Sequence, residues 1–169
     1  PMVPQNVTAT TNDYKHSGYD RGHMAPAADM KWDEQAMKES FYLSNICPQN
    51  PNLNGGVWKY LEEQVRDLAS QKGKIFVICG PIVNDASTTI GENKVVVPQA
   101  FFKVLLQEED NEINTIGFVY ENKSSKRLKK RLTMTLTSTV TNFSANFTKL
   151  YSGFPKNNAS YSASAISMN

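Results

Sequence analysis

Apolar residues recur at Val57, Leu61, Val65 and Leu68, in steps that keep them on one side of a helix, and Gly73 supplies a stop. The spacing predicts an amphipathic helix over 55–71. Three runs rich in β-branched and aromatic residues follow: KIFVICG, a stretch over 94–106 interrupted at Pro98, and 113–120. They predict strands and a sheet core. Upstream, Asp33 reads as the N-cap of a short helix through Glu39, and residues 40–47 alternate as a strand that stops at Pro48. The breaker cluster Gln49-Asn50-Pro51-Asn52-Leu53 separates that strand from the long helix. Residues 1–19 are polar and without a period, an expected extended lead-in. A short amphipathic segment is expected over 142–150, and the serine-rich end, NNASYSASAISMN, reads as a polar tail. There is no internal repeat.

With 169 residues, the chain can bury one good core but not two. The expected organisation is a single domain over 1–155 and a tail over 156–169. Hydrophobic residues make up 40% and charged residues 20%, the balance of an ordinary globular chain. The longest apolar stretch, IFVICGPIV, is far too short to cross a bilayer, so no membrane span is expected. No basic-then-apolar targeting run follows the opening PMVPQN; because residue 1 is proline, the expectation is that the chain begins inside a longer product.

The net charge of +2 is too mild to identify a polyanionic partner. Its distribution says more, since Lys123, Lys126, Arg127, Lys129, Lys130 and Arg131 crowd together as either a solvated strand edge or a phosphate-tracking patch. Cys47 and Cys79 lack the paired short spacings of a zinc site. Both sit in apolar strand-like contexts, as buried packing thiols or, on a second reading, as a single disulfide.

Candidate chemistry begins in GYDRGHMAPAADM, where Arg21 and His23 stand two residues apart and so on one side of an extended backbone. On the long helix, Asn54, Trp58, Glu62 and Arg66 follow at four-residue steps, along one slowly drifting stripe. Each has a plain structural explanation. Glu62 and Arg66 could be an exposed i,i+4 ion pair, Asn54 an N-cap, and His23 a satisfied structural histidine. The ordered set Arg21, His23, Asn45, Asn54, Glu62, Arg66 nevertheless matches what phosphodiester cleavage requires. A neutral histidine can take a proton from water near neutral pH. Asparagine and glutamate offer the hard oxygens that Mg²⁺ prefers, while the cation keeps much of its water. Guanidinium groups grip phosphate in a fork, and two of the chain's four arginines fall in this set.

The blocks YDRGHMAP, SNICPQ and LNGGVW, followed by Leu61-Glu62, resemble the DNA/RNA non-specific endonuclease family of the ββα-metal superfamily. CGP at 79–81, VPQAFFK at 97–103 and LYSGFP at 150–155 extend the resemblance over nearly all of the chain. It implies an α+β fold, a central, mainly antiparallel sheet with helices on both faces. His23 matches the family's general base, Asn45 the residue whose main-chain oxygen fixes the histidine ring, and Asn54 the direct Mg²⁺ ligand. Glu62 matches the carboxylate that holds the cation through water, and Arg21 and Arg66 the phosphate-contacting arginines. The implied activity is Mg²⁺-dependent hydrolysis of DNA and RNA, with Mn²⁺ a substitute, leaving a 5′-phosphate and a free 3′-hydroxyl. Indifference to sequence would follow, because sugar and phosphate contacts carry no base information. The family usually has a further phosphate-binding arginine upstream of the DRGH block, which this chain lacks from Pro1 onward, so the expectation is either a fragment or clipped form or an arginine supplied from elsewhere. Competing readings are a nucleic-acid-binding module that does not cut and a phosphodiesterase for smaller substrates. A homodimer and an inhibitor protein are the partners this resemblance leaves open, and a secreted or periplasmic location is expected from it.

Overall fold

The computed structural model describes residues 8–109, 112–124, 136–139 and 164–168. Its centre is an antiparallel sheet built on β3 (Ile75–Ile82) and β6 (Ala100–Glu109), which pair from Phe76↔Leu106 to Ile82↔Ala100. β6 pairs on its other side with β7 (Glu112–Glu121), and β7 with β8 (Leu136–Thr139). The edge next to β3 is filled by β9 (Ser164–Met168), giving the order β8-β7-β6-β3-β9, and between β3 and β6 the chain forms a small antiparallel pair, β4 (Thr89–Ile90) with β5 (Val95–Val96). The fold is α+β, as expected.

Residues 100–106 of β6 are all buried, which is why its sequence reads as a continuous apolar run rather than an alternation. Period two then sorts them. Phe101 and Leu105 join Ile75, Val77 and Cys79 in one cluster, whereas Phe102, Val104 and Leu106 form a second cluster with Ile78, Ile82 and Val119. The first cluster receives α3 (Lys59–Lys72) through Leu61 and Val65. Lys103 shares the parity of Phe101 and Leu105, so the strand drives a charged side chain toward the helix. α3 ends at Gly73, whose φ of +80° suits glycine and whose N–H bonds the Ala69 carbonyl at 2.8 Å.

The predicted helix start at 55 is corrected by the structure. Regular α-helix begins at Lys59, and Leu53–Trp58 forms a wider π turn in which Gly56 leaves helical geometry altogether. Two successive glycines permit this. The short helix α2 (Glu34–Glu39) lies where expected, with Asp33 Oδ1 accepting the Ala36 N–H at 2.7 Å.

A separate two-stranded ribbon carries the DRGH block: β1 (Asp20–His23) runs antiparallel to β2 (Ile46–Gln49), with Arg21 opposite Pro48 and His23 opposite Ile46. The strand expected over 40–47 therefore starts six residues late and passes through Pro48 instead of stopping there. Residues 43–45 form a 3-10 turn because the Asn45 side chain donates to the Ala25 and Ser40 carbonyls, giving the backbone an alternative to a ladder. Proline is tolerated in β2 because the strand pairs on one side only within this ribbon. Asn122 ties the ribbon to the main sheet, accepting from Asn50 N–H and donating to the Pro48 and Pro98 carbonyls.

Two more expectations change. The lead-in contains a one-turn helix, α1 (Thr11–Tyr14), held by reciprocal bonds between Thr10 and Asp13 rather than by an apolar period. Within the stretch read as a polar tail, β9 completes the sheet, since ladder bonds are made by main chain and need no apolar alternation. The expected segment over 142–150 and all of the basic cluster except Lys123, which pairs with Glu121, lie outside the described residues. No helix among the described residues is long and apolar enough to cross a membrane.

Gly22 is required by packing. A Cβ there would fall 2.6 Å from Gln49 Cβ and 2.1 Å from its Oε1, and Gln49 is fully buried. Because the obstacle includes the root of the side chain, the ribbon itself must shift. Gly22→Ala is expected to destabilise the protein by about 2 kcal/mol, read as a melting temperature lower by about 4–8 °C.

Candidate active site

Two polar bonds fasten the DRGH strand and its following turn alongside the long helix. At one end, Asn54 Nδ2 donates to Asp20 Oδ2 at 2.9 Å. At the other, Arg66 Nη1 donates to Asp29 Oδ1 at 2.8 Å, where the Asp29 side chain is only 2% exposed. His23 lies between Asp20 and Asp29 on one chain segment, and Glu62 lies between Asn54 and Arg66 on the other. Between the pins the packing is apolar: Met24, Leu53, Trp58 and Leu61 share one cluster. The Met24 carbonyl also accepts the buried Cys79 thiol at 2.8 Å, which anchors the residue after the histidine to β3.

The plain structural explanations for the helix stripe therefore do not hold. Glu62 and Arg66 are not each other's hydrogen-bonded partner: Arg66 is bound to Asp29, while Glu62 Oε1 faces Lys103 Nζ at 3.8 Å. Asn54 sits within the π turn, and its amide bonds Asp20 instead of capping a helix end. Asn45, whose main-chain oxygen was expected to fix the histidine ring, bonds instead to the main chain that follows it. Its carbonyl accepts the Met24 N–H at 2.9 Å, its Oδ1 accepts the Ala25 N–H at 2.9 Å, and its Nδ2 bonds the Ala25 carbonyl.

The imidazole of His23 meets the Phe41 ring edge-on, with centroids 4.9 Å apart. Its Nε2 is buried and has no hydrogen-bond partner among the described residues. Burial, and then the neighbouring Arg21 guanidinium, hold its pKa below the ordinary histidine value. The ring is thus neutral at neutral pH, the form that can accept a proton. Arg21 itself is exposed.

Glu62 is displaced in the opposite direction. Burial pushes its carboxyl up to about 7, against the pull of the Lys103 ammonium and with the further push of Asp29. Lys103 is 1% exposed and rests 4.7 Å from the centre of the Trp58 ring, so its cation is held by a carboxylate and an aromatic face. A raised carboxyl pKa means that the folded protein binds a proton more tightly than the unfolded chain. In the metal-free protein stability should therefore fall as pH rises from about 4.5 to about 7, by at most ~3 kcal/mol from this group. Glu62→Gln cannot ionise and is expected to flatten that slope, which urea unfolding in EDTA across this range would test. His23 works the other way, costing stability only as pH drops below its unfolded value of 6.5.

The sequence profile of the DNA/RNA non-specific endonuclease family matches residues 1–152. The chain belongs to this family. Among curated proteins, the chain is similar to the mitochondrial nuclease EXOG of Danio rerio, with 45% identity over 65% of this chain and 35% of that protein. The mouse protein of that name is 40% identical over 73% of this chain and 38% of its own length. Human mitochondrial endonuclease G is 42% identical over 59% of this chain and 37% of its own. The chain thus spans well under half the length of these relatives. A solved structure, that of EndoG in complex with EndoGI, superimposes with a TM-score of 0.71 at 29% identity, covering 79% of this chain and 60% of that one. The expected secreted or periplasmic location is overturned: the curated relatives are mitochondrial nucleases.

Three residues of the site escaped the sequence reading. Asp20 belongs to the DRGH block itself, and Asp29 lies six residues beyond its histidine, but nothing in their spacing said which side chains they would hold. Lys103 carried a usable signal: a single charge inside FFKVLL must find a partner if that strand is buried. The two cysteines are free, and burial raises Cys47 to about 12 and Cys79 to about 11, as suits packing thiols.

Proposed function

We propose that this chain is a Mg²⁺-dependent endonuclease that hydrolyses phosphodiester bonds of DNA and RNA without regard to base sequence, leaving 5′-phosphate ends. The observation that carries this reading is the pairing of Asn54 with Asp20. It commits the amide nitrogen to a carboxylate and leaves the harder oxygen, Oδ1, as the donor on offer. Among the described residues no three histidine, cysteine or acidic side chains gather to hold a metal, so the donors suit a cation that keeps most of its water. Asn54 would hold Mg²⁺, or Mn²⁺ in its place, directly and Glu62 through water. When bound, the cation supplies a charge sink for the phosphoryl oxygens and the departing ribose oxygen.

The remaining work falls to the chain's own groups. His23 presents a ring that burial and the Arg21 guanidinium keep neutral, and it takes the proton of the attacking water. Asn45 keeps the backbone after that ring from moving. Arg21 is exposed and grips the phosphate; Arg66 spends one N–H on Asp29 and keeps its others for substrate. An inhibitor protein is a partner consistent with this reading, since the structural neighbour was solved with EndoGI.

Incubating plasmid and total RNA with the chain in Mg²⁺ should degrade both, and EDTA should stop the reaction. Salt-sensitive binding of both polymers with no cleavage at any Mg²⁺ concentration would replace the nuclease with a binding module.

A further inference from the structure

A cleft of about 570 Å³ opens beside the pinned strand, lined by Asn12, Lys15, Tyr19, Asp20, Arg21 and Asn54 among others. We propose that it is a subsite for a single nucleotide, the one adjoining the phosphate that is cut; this rests on the nuclease reading above.

Size comes first. The volume lies within the roughly 300–1,000 Å³ of small-ligand sites, too large for a bare phosphate and too small for a run of bases. Charge comes second: Lys15 and Arg21 contribute two cations, whereas the one carboxylate, Asp20, already accepts the Asn54 amide. An anionic ligand is favoured on that balance. Position is the third consideration. Arg21 and Asn54 belong both to this cleft and to the candidate catalytic set, so a group filling it abuts the reacting phosphate.

The wall is also preformed. α1, which precedes Lys15, is fixed by Asp13, whose carboxylate accepts the Asn93 N–H at 3.0 Å and its side-chain amide at 2.9 Å. Those bonds hold the Asp13 carboxyl well below the usual carboxylate range. Tyr14 is buried with its hydroxyl turned to the Ile46 carbonyl, so it forms floor rather than a ligand contact. Tyr19 is half-buried and lines the cleft, where an aromatic ring can stack on any base. Lys15 is exposed and reaches the phosphate on the far side of that nucleotide.

The test titrates adenosine 5′-monophosphate, its deoxy form, adenosine and inorganic phosphate into ¹⁵N-labelled chain in EDTA, alongside inhibition of plasmid cleavage in Mg²⁺. Both mononucleotides should bind about tenfold more tightly than phosphate or nucleoside. Lys15→Ala and Tyr19→Leu should each weaken them about fivefold, while Lys38→Ala, on the distant α2, changes nothing. Equal affinity for phosphate and mononucleotide, or mononucleotide binding unmoved by both cleft variants in folded protein, would overturn the subsite. Binding that follows the expected pattern in a chain that cuts no plasmid supports the subsite and counts against the nuclease reading alone.

Discussion

Replacing His23 by alanine is expected to lower cleavage of plasmid DNA by about 10³-fold, in the middle of the range for loss of a general base. The reason lies in the ring's surroundings. A structural histidine commits its nitrogens to partners, but Nε2 here is buried with none among the described residues. The ring is held by its edge contact with Phe41 and by the Asn45 clamp on the two residues that follow. The clamp acts through backbone and survives the substitution. The fold should therefore persist, with a loss of about 1 kcal/mol from the ring contact. In the wild type, turnover should climb on an acid limb lying below the ordinary histidine range, since burial and Arg21 both favour the neutral ring. A loss smaller than tenfold in folded His23→Ala protein would remove the histidine from the role of base.

Legibility followed the kind of signal each element carries. The long helix announced itself by the repeat of Val57, Leu61 and Val65, and β3 by its β-branched run, because burial of those residues is what selects the element. α1 carried no such mark: one turn held by Thr10 and Asp13 depends on hydrogen bonds that a polar stretch always could make and seldom does. The π turn at Leu53–Trp58 was hidden for a related reason, since Gly55 and Gly56 allow many backbone paths and only packing of Leu53 and Trp58 selects one. In the site, residue types and order were readable while partnerships were not. Arg66 looked equally able to reach Glu62, four residues away, or a phosphate. That it binds Asp29 depends on how the turn after β1 lies along the helix, a tertiary fact with no local spacing.

The same pairing principle makes the sharpest claim about metal dependence. Asn54→Ala is expected to raise the Mg²⁺ concentration for half-maximal cleavage by more than about 100-fold, and Asp20→Ala by about 10- to 100-fold. The first removes the oxygen that would hold the cation. The second leaves that oxygen in place but frees the amide to rotate, so that nitrogen and oxygen compete for the position facing the substrate. If the bond to Asp20 is what orients the amide, Asp20→Ala should respond to excess Mg²⁺ by recovering most of its rate, whereas Asn54→Ala should not. Combining the two should cost no more than Asn54→Ala alone, because a carboxylate without an amide to orient has nothing left to do. Costs that instead multiply in the double variant would mean that Asp20 acts elsewhere, and a half-maximal Mg²⁺ concentration unmoved in folded Asn54→Ala would take the cation away from the head of the long helix.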